Sequence, residues 1–150
     1  MKLWASQLGW LHSIPERQRK DDRRSRFDQY GQPHPYTCFP DVNGYDYMTD
    51  LFINMGSATS TMGGLVPITW SEIESYSRLC NLNLSAWESD LLMSMSRAYC
   101  SWYAKGGQQK DIAEDVPYID RSVRATDYLI RQREASAKNA QDAKSGKLDA

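Results

Sequence analysis

Two copies of one short phrase, sixteen residues apart, constrain the fold of this chain more than anything else in it. "TWSE" runs from Thr69 to Glu72, and "SAWE" from Ser85 to Glu88. Each places a hydroxyl residue three positions before a glutamate, at the head of an apolar-periodic stretch. This is the capping-box pattern: the hydroxyl accepts from the amide three residues on, and the glutamate reaches back to the amide of the hydroxyl residue. Two helix starts follow. Between them "CNLNL", Cys80 to Leu84, leaves room only for a tight reversal, so the spacing predicts a two-helix hairpin. Ile68 and Ile73 occupy the staple positions of the first box, whereas the second sets Leu84 against Ser89 and lacks a staple.

Apolar spacing fills in the rest. Trp70, Ile73 and Tyr76 form the inner face of the first helix, and Trp87, Leu91, Met95, Ala98, Tyr99 and Trp102 a longer stripe that stops near Gly106 and Gly107. Upstream, Met48, Leu51, Phe52 and Met55 predict a short helix from Tyr45 to Met55, ended by Gly56. "SATSTMGG", which follows, reads as a small-residue loop. At the N-terminus Leu3, Trp4, Leu8 and Leu11 suit a short docking helix, weakened by Gly9 and stopped by Pro15. "ERQRKDDRRSR", Glu16 to Arg26, reads as a solvated or protein-binding arm, and Tyr30 to Gly44, rich in Pro and Gly, as an irregular loop. Beyond Pro117, Val123, Leu129 and Ile130 on a polar background predict a weakly anchored helix, then a mobile tail. The expected fold class is all-α: a small helical domain centred on the hairpin packed on the short upstream helix, with an irregular N-terminal third and a flexible C-terminal tail. Its expected divisions are 1–44, 45–105 and 106–150.

Thirteen of the seventeen aromatic residues lie between Phe27 and Tyr103, which places the expected core there. Charge divides along similar lines. Met1 to Arg26 is net +4, Phe27 to Ala104 net −6 with only Arg78 and Arg97 as cations, and the remainder net +1. Such asymmetry steers association and does not determine fold. Cys38, Cys80 and Cys100 form no CxxC pair and their odd number argues against a disulfide framework, so reduced thiols in a cytosol fit best. No apolar run approaches the roughly 18 residues of a membrane span.

Reaction chemistry finds little support in these patterns. Glu72 and Glu88 are accounted for as helix caps, not as a pair of reacting carboxylates. His12, His34 and Cys38 lack the four-ligand spacing of a zinc site, and neither "SATSTMGG" nor "AKGGQQK" matches a phosphate-binding loop. The serines of "SMSR" lack a nucleophile-elbow context, and no histidine stands near Cys80 or Cys100 as a base. The expectation is no enzyme activity, no metal and no cofactor. Acids dilute the basic arm, so a protein partner is expected ahead of nucleic acid. Trp70, Tyr76, Trp87, Tyr99 and Trp102 combine apolar area with a polar handle and are the candidate contact residues, core packing being their competing role.

The stretch Tyr47 to Tyr103, with its "DLF" helix, Gly-rich turn, "PITWSEI", "LSAWE" and closing "SRAY", resembles a family of tailed-phage proteins associated with tail assembly. The resemblance implies a tail assembly chaperone or its frameshift-derived extension, acting without catalysis or cofactor in the host cytoplasm. Its implied partners are the tape-measure or tail-tube subunits and other chaperone subunits. A structural tail or neck protein retained in the virion is the alternative. The segments before Arg26 and after Lys105 lie outside the resemblance.

Overall fold

The computed structural model describes residues 1–16, 23–30, 34–109 and 115–122. Along the described residues run α1 (Lys2–His12), α2 (Arg26–Tyr30), α3 (Asp46–Asn54), β1 (Thr59–Thr61), β2 (Gly64–Val66), α4 (Trp70–Leu79) and α5 (Ala86–Gln108). The weakly anchored helix and mobile tail expected after Pro117 fall on residues 123–150, outside the described residues.

The fold is mostly helical but not all-α. The stretch expected to be a plain loop folds back as an antiparallel hairpin, with Thr59 opposite Val66 and Thr61 opposite Gly64. Its two-residue turn is Met62–Gly63, and Gly64, at φ +116°, takes a backbone conformation that side chains disfavour. Strands of three residues carry no usable alternation, which is why sequence periodicity passes over them. Ser96, wholly buried on α5, holds the hairpin in place: its hydroxyl donates to the Ser57 carbonyl at 2.6 Å and accepts from the Ile68 amide at 3.0 Å.

α5 is the axis of the molecule, and its most extensive contact is with α1. The close approach depends on Gly9, where an added Cβ would overlap the Tyr99 backbone carbonyl. The glycine that weakens α1 as an isolated helix is what lets it lie directly on α5. Ala5 and Leu8 of α1, Met48 and Phe52 of α3, Ile73 of α4, and Leu92, Met93, Met95 and Tyr99 of α5 form the core with Ile68. The core thus extends to the N-terminus, beyond the aromatic-rich centre. On α5 the buried face includes Leu92, Met93, Ser96 and Cys100, while Leu91, Ala98 and Trp102 are half-buried. With α1 as an added neighbour, the buried face lies partly off the stripe read from the sequence.

Arg26 locks the far end of this pair. Its side chain is fully buried, with the guanidinium carbon 4.8 Å from the Trp10 ring centroid. Nη1 donates to Ser13 Oγ at 2.5 Å, and Nη2 donates to the Gly106 carbonyl at 2.9 Å and to Gln109 Oε1 at 3.1 Å. The cation therefore sits at the C-terminal end of α5, where the helix dipole favours it. Burial lowers its pKa, with Tyr30 acting in the opposite direction. Gly106 lies inside α5 and leaves room for Ser13 and Arg26, because a Cβ there would overlap Ser13 Oγ. The helix accordingly runs through the glycine pair to Gln108. Arg26, read as the last residue of a solvated arm, is a structural cation.

Gln7 ties two further segments to α1. Its Nε2 donates to the Tyr36 carbonyl, and its Oε1 accepts from the Tyr118 amide at 3.0 Å. The Asp120 amide donates to the Pro35 carbonyl at 3.0 Å, so residues 115–122 reach back to the loop after α2.

Candidate partner-binding surface

Both capping boxes are present as closed reciprocal pairs. Thr69 Oγ1 accepts from the Glu72 amide at 3.3 Å and the Thr69 amide donates to Glu72 Oε2 at 2.6 Å; Ser85 and Glu88 repeat this at 3.3 and 2.7 Å. Each glutamate also takes a bond from another element. Thr59 Oγ1 of β1 donates to Glu72 Oε1 at 2.7 Å, and the Tyr47 hydroxyl of α3 donates to Glu88 Oε1 at 3.0 Å. Hydrogen bonds to the charged form hold both carboxyls below their ordinary range: Thr59 first for Glu72, the Ser85 amide first for Glu88. These carboxylates join helix starts to their neighbours.

A pH dependence follows from the direction of those shifts. A carboxylate whose pKa is lower folded than unfolded adds stability above the unfolded value, and that contribution disappears as pH falls through the folded value. The double variant Glu72→Gln/Glu88→Gln keeps an oxygen in each cap but cannot titrate. We expect a lower thermal midpoint than wild type at pH 7 and a shallower decline below about pH 4.5. Parallel acid limbs for the two proteins would show that these carboxylates do not set the acid response.

The five candidate contact aromatics occupy different environments. Trp70, at the first turn of α4, is 52% exposed, and Trp87, at the first turn of α5, is 53% exposed. Tyr76 is half-buried on α4. Tyr99 is buried, with its hydroxyl 2.9 Å from His12 Nδ1 and its ring edge-on to Phe52; burial pushes its phenol up to about 12. Trp102 is half-buried near the other end of α5, with the Lys105 ammonium 4.4 Å from its ring centroid. The Trp87 ring lies 5.6 Å from that of Tyr45, itself exposed beside Tyr47. Thus Trp70 and Trp87 offer surface at two helix starts, whereas Tyr99 belongs to the core.

Trp70 also borders a groove of about 460 Å3 between α4 and the start of α5, lined by Ile73, Glu74, Ser77, Arg78, Leu84 and Ser89. Two conclusions about chemistry follow from the described residues. No group of three or more His, Cys, Asp or Glu is placed to hold a metal ion, and no helix is long and apolar enough to cross a membrane. Arg26, Trp10, Gln7, Gln109 and Ser96 are the structural residues that sequence reasoning missed. Only a polar residue interrupting a buried helical face, as Ser96 does, offers a signal for finding any of them.

Two half-exposed rings thus stand at the two capped helix starts of a mostly helical fold. Residues 42–101, which span α3, the hairpin, α4 and most of α5, match the phage tail assembly chaperone family. The match covers a segment of the chain, less than half of it, and supports a role in tail assembly. No curated protein matches the chain, and no solved structure does.

Proposed function

We propose that the chain is a tail assembly chaperone that binds tape-measure or tail-tube subunits in the infected cell and takes no part in catalysis. The observation carrying this reading is that the family match covers the segment in which Trp70 and Trp87 stand half exposed. Such rings shelter an apolar helix of a subunit until polymerisation displaces them, a use of exposed apolar surface that requires no reacting group. Trp70 and Trp87 are the proposed contacts, with Tyr76 and Trp102 as partial ones. Tyr99 acts through the fold.

Trp87→Ala separates contact from core. An exposed ring contributes little to folding, so its thermal midpoint should stay within a few degrees of wild type. Its recovery of co-expressed tape-measure or tail-tube protein should fall several-fold. Full recovery would remove Trp87 from the interface, and a collapsed midpoint would make it structural. Mass spectrometry of purified particles beside the infected-cell lysate tests the role itself. Peptides confined to the lysate fit a chaperone, while stoichiometric amounts in particles would make the protein a tail or neck component.

A further inference from the structure

We propose that the aromatic patch of Tyr45, Tyr47 and Trp87, where the start of α3 meets the start of α5, seats an arginine side chain of a partner protein. The proposal deepens the tail-assembly reading and rests on it for the source of that arginine. Three observations carry it, the rings first. Tyr45, Tyr47 and Trp87 are 43%, 45% and 53% exposed. The Tyr45 centroid lies 5.6 Å from that of Trp87 and 6.3 Å from that of Tyr47, with interplanar angles of 54° and 41°. Three rings therefore reach solvent together at one place, and the π face of such a ring attracts a cation held within about 6 Å of its centroid.

The second observation is the charge at the patch itself. Glu88 Oε1 accepts from the Tyr47 hydroxyl at 3.0 Å while both bonds from Ser85 go to Oε2, so Oε1 keeps a lone pair for a further donor. Hydrogen bonds led by that of the Ser85 amide hold this carboxyl below its ordinary range, and it is ionised at neutral pH. Asp46 is exposed between the two tyrosines, and Asp50 and Asp90 are exposed one turn beyond Tyr47 and Trp87 on the same helix faces. No Lys or Arg occurs in α3, and the first on α5 is Arg97, about 15 Å along the axis from Trp87. Among the described residues none of these four carboxylates is in an ion pair.

The third observation is how the chain treats two of its other tryptophans. The Arg26 guanidinium lies 4.8 Å from the Trp10 centroid and the Lys105 ammonium 4.4 Å from that of Trp102, whereas among the described residues no cation lies over Trp87. Rings and carboxylates together favour arginine over lysine, because a planar guanidinium stacks on a ring while its in-plane N–H groups reach a neighbouring carboxylate. A second copy meeting this surface patch to patch would set carboxylates against carboxylates.

The test uses short fluorescein-labelled Gly/Ser peptides that carry, at the same positions, Arg, Lys or citrulline, the last keeping the shape of arginine without its charge. Binding to the full chain is read by anisotropy at low salt. The Arg peptide should bind about tenfold more tightly than the citrulline peptide and several-fold more tightly than the Lys peptide, and should weaken as salt rises. Tyr45→Ala and Trp87→Ala, which leave the net charge unchanged, should each weaken it about fivefold, as should Asp50→Asn/Asp90→Asn, while Trp70→Ala should not. All four variants should keep near wild-type thermal midpoints; should a ring variant unfold, Asp50→Asn/Asp90→Asn and the citrulline peptide decide. Equal binding of the Arg and citrulline peptides, or full affinity in the folded patch variants, would overturn the proposal. So would self-association of wild type that Trp87→Ala abolishes, which would assign the patch to a second copy. Arg-peptide binding that appears only in full-length Arg124→Gln/Arg131→Gln/Arg133→Gln would assign it to this chain's own C-terminal segment and overturn it too. A tail subunit retained by Tyr45→Ala and by Asp50→Asn/Asp90→Asn overturns the patch and leaves the tail-assembly reading standing. An Arg peptide bound as expected, with no tail subunit bound by wild type, supports the patch and removes that reading.

Discussion

Gly9→Ala lowers the thermal midpoint by on the order of 10 °C, the reverse of what helix propensity dictates. Alanine is the better helix former by up to about 1 kcal/mol, so the substitution would stabilise an exposed helix. At Gly9, however, the new methyl meets the Tyr99 backbone carbonyl of α5, and backbone cannot step aside as a flexible side chain can. α1 must lift from α5, loosening Ala5 and Leu8 from the core. Overpacking of this kind costs about 3 kcal/mol, which sets the expected shift for a domain of this size. Gly107→Ala is the control, since the nearest atom to its added Cβ is the Ile14 carbonyl at 4.0 Å. Differential scanning calorimetry should find it neutral or slightly stabilised. If the two variants melt together, the close crossing of α1 and α5 does not carry the fold.

Arg26→Ala is expected to cost about 3–5 kcal/mol in urea unfolding. It strips a donor from Ser13 Oγ, the Gly106 carbonyl and Gln109 Oε1, and empties the space against Trp10. Gln109 Oε1 keeps the Trp10 indole donor at 3.0 Å, but the α5 terminus loses its cation. Arg26→Lys should recover little, because an ammonium is a point charge and cannot reproduce a planar fork that serves three acceptors. Arg23→Ala, at an exposed site three residues earlier, should stay within about 0.5 kcal/mol. Equal effects at positions 23 and 26 would return Arg26 to the solvated arm.

The helix starts were legible because their signal is local. A hydroxyl and a glutamate three residues apart specify a backbone conformation whatever surrounds them, and both boxes close in the structure. α3 was legible for a similar reason: Met48 and Phe52 lie four residues apart and bury together. The hairpin was not, since Thr59 to Val66 is too short and too polar to show a period. Neither was the role of Arg26, for nothing in "RRSRF" separates the buried arginine from its neighbours. That distinction comes from α5, eighty residues further on, whose Gly106 makes the space. The candidate contacts were legible as a residue type and not as a place. The same amphipathic spacing that nominates Trp87 nominates Tyr99, and it is His12 of α1 and Phe52 of α3, packed against Tyr99, that make it core while Trp87 stays at the surface.

The position of α1 makes the stretch that can be recognised shorter than the stretch that must fold. The family match begins at residue 42, yet the helix that packs most extensively on α5 begins at residue 2. Cut out by itself, the matched segment would expose the α5 backbone around Tyr99 together with the apolar residues that α1 covers. A deletion series from the N-terminus would therefore meet its limit well before the matched region begins. An evolutionary module and a thermodynamic one overlap here without sharing a boundary, and a homologue lacking α1 would have to cover that flank with some other piece of chain or with its partner.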